Sequence, residues 1–256
     1  MTGNKQAEEP KGKTVLSVGY VVLDVLVHGD CLGHSAGGTA GNVAANLSYF
    51  GWDAATAALH GDDPAGNHLR ADLKKAGVSS SGLRQLKDFI TPVVIHEISN
   101  GKHNFRFRCP VCGRRFARFR PIPVEFAEDL VESNKRPDVL FLDRVSAAAV
   151  LMAERIRDGG GLVVFEPSMP GDSQRFRRLL ELAHLVKFSA SRLDPTSCLL
   201  NESPGTHVYT DGANGAAWRR RGEAWNHVPH FPVDAIDAGG AGDWTTAALL
   251  EALPSL

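Results

Sequence analysis

Short apolar runs alternate with amphipathic stretches from residue 14 to residue 253, and this alternation restricts the fold more than any other feature of the chain. Runs at residues 14–18, 54–59, 139–142, 162–165, 185–188 and 207–210 have the length and apolar content of strands buried on both faces. Between and around them, residues 43–50, 66–76, 124–133, 147–157, 173–183 and 241–253 carry helical periodicity, and several end at Gly or Asn. Repeated strand-helix-strand units give a mainly parallel sheet with helices on both faces, so the sequence predicts the α/β class. Two stretches break the pattern. They are residues 21–27 and the pair 91–98 and 104–108, which Asn100-Gly101 joins as a hairpin candidate.

A chain of 256 residues can bury a large core and reads as one domain behind a polar tail at residues 1–13. Lys plus Arg (28) nearly cancel Asp plus Glu (29), giving a net charge of −1. That balance disfavours nucleic acid as the main partner without excluding it. No apolar run approaches the ~20 residues that span a bilayer, and the start MTGNKQAEEPKGK lacks the apolar centre of a signal peptide. A cytoplasmic protein with no membrane partner is expected.

The turn Asp237-Ala-Gly-Gly-Ala-Gly-Asp243 leads directly into a helix-like apolar stretch. Its glycines allow a tight turn and close approach to a ligand, and the helix aims unpaired N–H groups and its positive end at the same place. The amides of Gly240, Ala241 and Gly242 are therefore candidates for an anion hole. Asp243, in the first helical turn, would lie beside the anion and could take a proton from an attacking hydroxyl. A second glycine turn, Gly37-Gly38-Thr39-Ala40-Gly41-Asn42, also opens onto a periodic stretch. For Asn42 the competing reading is a residue that caps its own helix.

These two turns, Asp24 after the first strand, and GDDPAGNHLRADLKKAGV at 61–78 occur in the order and spacing of the ribokinase-like (PfkB) carbohydrate and nucleoside kinases, which the chain resembles over about residues 14–250. The resemblance implies a three-layer α/β sandwich with a mainly parallel central sheet and a small β-sheet lid, here at about 20–36 and 89–120 within a kinase domain of residues 14–256. It implies ATP-dependent phosphorylation of a hydroxymethyl group on a sugar or nucleoside, with Mg2+ accompanying ATP and Asp243 as general base. Asp24, Gly37, Gly38 and Asn42 would hold the acceptor. Thr210, Gly212, Gly215 and Lys187 would lie on the nucleotide side, although a plain hairpin turn accounts for the two glycines equally well. Asp143, Arg144 and Glu166 follow strands at the end where open α/β sheets bind ligands. Asp143 or Arg144 could face substrate; for Glu166 a satisfied surface carboxylate is the favoured reading.

Two departures from the family pattern support an alternative, a catalytically weak or inactive binding or regulatory protein of the same fold. The stretch 187–192 lacks the glutamate of the family's Asn-x-x-Glu segment. The chain also stops at Leu256, soon after the last glycine turn, which implies a shortened nucleotide pocket.

Cys109-Pro-Val-Cys112-Gly has the form of half a zinc knuckle, with Cys31, His28, His34 and His103 as candidates to complete it; the competing reading is a pair of free thiols. In the resembled fold it would decorate the lid and stiffen it. Arg106, Arg108, Arg114, Arg115, Arg118 and Arg120 interleave with Phe105, Phe107, Phe116 and Phe119. The pattern reads either as a basic surface for an anionic partner or as a solvated strand face over buried rings. Lid strands with unpaired edges could pair across a homodimer.

Overall fold

The computed structural model describes residues 12–99, 102–133, 136–169, 171, 173–233 and 238–253. β1 (Thr14–Val18) leads to β2 (Val22–His28), β3 (Cys31–Gly37), α1 (Thr39–Tyr49), β4 (Asp53–Gly61), α2 (Pro64–Lys75) and β5 (Ser79–Leu86). After β6 (Val93–Ser99) and β7 (Lys102–Arg106) come α3 (Val124–Glu132), β8 (Val139–Leu142), α4 (Ala147–Asp158), β9 (Leu162–Phe165), α5 (Gln174–Leu182) and β10 (Leu185–Ser189). β11 (Thr206–Thr210), β12 (Ala216–Arg219), β13 (Asn226–Val228) and α6 (Ala241–Glu251) follow.

Nine strands form the large sheet in the order β13-β12-β11-β10-β9-β8-β1-β4-β5. Pairing is parallel from β5 to β11 and antiparallel only at β11–β12 and β12–β13. Alternation along the strands builds the three layers. All four residues of β8 are buried; Val139 and Phe141 join the cluster under α1, α2 and α6, while Leu140 and Leu142 join the one under α3, α4 and α5. A strand that must serve two cores has no polar face, which is why these runs are continuously apolar.

The strand order reverses at β1, which lies between β4 and β8. A reversal of this kind opens a crevice at the carboxyl ends of the strands. The second sheet, β3-β2-β6-β7, lies beside that end, with β2 joined directly to β1 through Gly19, Tyr20 and Val21. β2 pairs parallel with β6 and antiparallel with β3.

The predicted strands and helices are present with small shifts of boundary. α1 starts at Thr39, four residues before the periodic stretch, because Gly38 at φ +81° turns the chain directly into it. β3, β5 and β13 have no counterpart among the apolar runs, since β3 is largely exposed, β5 only partly buried, and β13 exposed throughout. The Asn100-Gly101 turn lies outside the described residues, while its flanking strands pair antiparallel as a hairpin requires. No helix among the described residues is long and apolar enough to cross a membrane.

Candidate active site

α6 begins at Gly240, whose left-handed φ of +73° favours glycine over any residue with a side chain. Asp237, the first residue of the motif, lies outside the described residues. Ala241, Gly242 and Asp243 form the first turn, where N–H groups have no acceptor within the helix. The Ala241 N–H is already taken by the Ala238 carbonyl at 3.2 Å. Of the three amides expected to form the anion hole, those of Gly240 and Gly242 meet no acceptor among the described residues. The carboxylate in this turn is Asp243.

Asp243 meets the other glycine turn. The Asn42 side-chain amide donates to Asp243 Oδ2 at 2.6 Å, joining residues 201 positions apart. Asn42 sits four residues inside α1, whose N-cap is Gly38, so it does not cap its own helix. Asp24, on the lid sheet, comes close enough to feel the charge of Asp243, and the glycines make room for it. A Cβ on Gly37 would stand 2.0 Å from Asp24 Oδ2, and one on Gly38 2.3 Å from the Tyr20 carbonyl. Burial pushes the Asp243 carboxyl up to about 6; the Asn42 hydrogen bond and the charges of Lys187 and Arg192 act in the opposite direction. Burial, with help from the Asp243 charge, likewise pushes Asp24 up to about 6. Two carboxyls and an amide thus share a crevice closed by both sheets.

A buried polar network lies beneath the turn. Lys187 Nζ donates to Glu166 Oε1 at 2.7 Å and to the Gly242 carbonyl at 2.9 Å, and Thr246 Oγ1 donates to Glu166 Oε2 at 2.6 Å. The Lys187 and Glu166 side chains are only 2% and 6% exposed. This corrects one expectation, since Glu166 is a buried ion-pair partner rather than a surface carboxylate; Lys187 is turned into the core against the carbonyl side of the α6 turn. The network was not legible in the sequence, because it requires β9 and β10 to be neighbours with α6 packed across their ends.

At the strand-order reversal, Asp143 is 1% exposed and accepts from the Tyr20 N–H at 2.8 Å and from the Arg144 guanidinium at 2.7 Å. Burial pushes its carboxyl up to about 7 despite the opposing Arg144 charge. Asp143 holds the β1–β2 junction; a Cβ on Gly19 would fall 1.6 Å from it. Arg144 stacks over Tyr20 at 4.6 Å.

Thr210 ends β11, and Gly212 and Gly215 shape the turn into β12 at φ +53° and +91°. A Cβ on Gly215 would meet the Val228 carbonyl at 2.3 Å, so that glycine serves the β-hairpin itself, whereas Gly212 faces open space. Arg192, exposed after β10, is a residue that sequence reasoning passed over; its charge reaches Asp243. The position was visible as the end of the 187–192 stretch, but only the fold shows that it faces the α6 turn.

The cysteine pair lies away from this crevice, beyond β7. The strand order β3-β2-β6-β7 puts Cys31, His28 and the register position of His103 in one row across the lid sheet, and His34 on its far edge. No group of three His, Cys, Asp or Glu able to hold a metal occurs among the described residues. The arginine-rich segment is partly spent within the chain. Arg106 pairs with Glu97 at 2.7 Å, Arg108 donates to the Gly113 carbonyl, and Arg120 lies over Phe89. Its phenylalanines are not all buried, since Phe105 and Phe107 are more than half exposed.

The model of the pfkB family of carbohydrate kinases matches residues 12–255. The chain belongs to that family. The fructokinase of Klebsiella pneumoniae is 29% identical to this PfkB-family chain over 257 residues, 92% of the chain and 83% of the relative. The aminoimidazole riboside kinase of Salmonella typhimurium is 27% identical over 234 residues, 84% and 72% of the respective chains. Among solved structures, the fructokinase from Xylella fastidiosa with bound ATP superposes with a TM-score of 0.73 at 22% identity, covering 93% of this chain and 80% of that one. The aminoimidazole riboside kinase from Salmonella enterica gives 0.69 at 23%, with 93% and 83% coverage. The PfkB-family chain thus has the ribokinase-like fold, with the central sheet and small second sheet that its sequence implied.

Proposed function

We propose that this chain transfers the terminal phosphoryl group of ATP to a hydroxymethyl group of a sugar or nucleoside. The observation that carries this reading is the 2.6 Å contact between Asn42 and Asp243, which brings the two glycine turns and their carboxylates to one crevice. Asp243 is placed to accept the proton as the acceptor oxygen attacks. Its carboxyl near 6 lets it stay ionised at neutral pH while being more basic than an ordinary aspartate. The N–H groups of Gly240 and Gly242 and the positive end of α6 stabilise charge on the transferring group. Asp24 and Asn42 suit vicinal hydroxyls, since one accepts hydrogen bonds and the other both accepts and donates. Arg192 adds a positive charge on the side from which the phosphates approach.

Magnesium enters as part of the MgATP substrate. Both Glu166 oxygens are engaged by Lys187 and Thr246, and an ion that keeps several waters needs few protein carboxylates when phosphates hold it.

The test is ADP release with MgATP and a panel of pentoses, hexoses and nucleosides. At least one acceptor is expected to be phosphorylated, and Asp243→Asn to lower its turnover by roughly 10²–10⁴-fold with acceptor binding retained. A wild-type chain that turns over none of them, or an Asp243→Asn chain as active as wild type, ends the reading.

A further inference from the structure

Beyond β7 the chain folds back on itself in a small, self-contained turn that the kinase chemistry does not use. Arg108 bridges Arg115, the Phe116 N–H donates to the Phe107 carbonyl at 3.0 Å, and the Cys109 N–H donates to the Arg114 carbonyl at 2.8 Å. The Gly113 N–H returns to the Cys109 carbonyl at 2.9 Å, with Gly113 at φ +70°. The Arg108 guanidinium closes the turn on the Gly113 carbonyl at 3.1 Å. Within it, the Val111 and Cys112 backbone and the Cys112 thiol lie near the Cys109 thiol. A tight backbone turn with a cysteine at each end and a left-handed glycine next in the chain is one that offers two thiolates to a single metal ion.

We propose that Cys109 and Cys112 form half of a zinc site, and that a second copy of this chain completes it with the same two residues.

Zinc in a structural site takes four ligands. Bonds of about 2.3 Å place those ligands roughly 4 Å from one another. Among the described residues, the same chain does not supply the other two. His34 pairs with Val25, Val25 with Ile95 and Ile95 with Arg106, so His34 stands three strand spacings from β7, about 14 Å. Cys31 and His28 share a row with Ile98 and position 103 at the opposite end of β7 from the one that leads into the cysteine turn. Cys109 comes six residues after position 103. The described residues contain no group of three ligands.

The open side of the turn faces outward. Val111 is 92% exposed and Cys112 is exposed, with Cys109 partly so, which leaves this side of the turn open to a second copy among the described residues. A two-fold axis through the metal gives each copy the same role, which is the arrangement closed homodimers favour. Four thiolates around one Zn2+ carry net negative charge, and the exposed Arg114 and Arg115 of both copies are placed to balance it.

The experiment uses the full chain, without an affinity tag, purified without chelator. Zinc content and solution mass are measured on the same sample. One zinc per two chains in a dimer is expected. Removing zinc with a chelator should give monomers, zinc added back should restore dimers, and Cys112→Ser should remain monomeric with an unchanged far-ultraviolet circular dichroism spectrum. Cobalt(II) in place of zinc should show the thiolate charge-transfer absorption of a tetrahedral four-sulfur centre. Any of three results overturns the proposal. They are no zinc with the two thiols free or joined as a disulfide, one zinc per chain in a monomer, and a dimer that survives chelation. Because chelation alters no residue, a Cys112→Ser chain that fails to fold leaves the proposal testable.

Discussion

Asp243 carries opposing demands, and they give its substitutions opposite signs for activity and stability. Its carboxyl titrates near 6 in the folded chain against an ordinary value of 3.8. The folded state therefore binds this proton more tightly than the unfolded state. The group's contribution to stability is most favourable below about 3.8, falls as pH rises to about 6, and stays low above it. At neutral pH the ionised form costs on the order of 2–3 kcal/mol relative to an unperturbed aspartate. Asp243→Asn is thus expected to raise the melting temperature at pH 7.5 while removing turnover, which parallel thermal melts and ADP-release assays will check. Turnover itself should fall as pH drops through about 6, where the base becomes protonated. Burial sets that midpoint and the Asn42 hydrogen bond holds it down, so Asn42→Ala should move the acid limb of the kcat/KM profile to higher pH. A limb that stays in place or moves down would show that another group controls it.

Helix α6 depends on a support that no stretch of sequence announces. Lys187 grips the Gly242 carbonyl from below and is neutralised by Glu166, which is in turn held by Thr246 one turn along the same helix. A Cβ on Gly242 would approach Lys187 Nζ to 3.3 Å, so the glycine serves the support as well as the anion site. Lys187→Met leaves the buried Glu166 carboxylate unpaired and should destabilise the chain by about 3–5 kcal/mol in denaturant unfolding. Lys187→Met with Glu166→Leu removes both charges; it should recover much of that loss without recovering kcat, because the α6 turn still lacks its grip. The contrast also explains which elements the sequence disclosed. β8 and β9 were legible because a strand buried on both faces must be apolar throughout, and β10 because it is apolar apart from Lys187 and the terminal Ser189. β3 was not, since CLGHSAG is largely exposed and holds its place by pairing with β2. Both glycine turns could be read locally, as could Asp243 beside one and Asn42 within the other. The contact between them, and the Lys187–Glu166 pair beneath, depend on which strands become neighbours, and periodicity along the chain carries no such information.

At the scale of the whole molecule, the crevice is made by two sheets, so its geometry depends on what fixes one to the other. Asp63 is one such tie, alongside Asp72, whose Oδ2 accepts from the Ala36 N–H of β3 at 3.1 Å. Asp63 caps α2 through the Gly66 N–H at 2.7 Å, and it also accepts from the Thr91 N–H at 2.8 Å and the Thr91 hydroxyl at 2.7 Å. Thr91 precedes β6, which pairs with β2, the strand that carries Asp24. A single carboxylate thus links a helix of the large domain to the lid sheet. Gly61 and Gly66 provide the space, since a Cβ on Gly66 would lie 2.9 Å from Thr91 Oγ1. Burial acts to raise the Asp63 carboxyl, but the Thr91 and Gly66 hydrogen bonds outweigh it and hold it below the usual range. The stabilisation it provides is therefore present above 3.8 and is lost only as pH falls through the lower folded value. Asp63→Ala should loosen the lid sheet without touching the α6 turn. The expected result is an acceptor KM raised by roughly tenfold, about 1.4 kcal/mol of positioning, with the KM for MgATP changed far less. Equal changes in both constants would mean that Asp63 acts through overall stability and not through the lid, and a chain with unaltered kinetics would show that β6 is held in place without this tie.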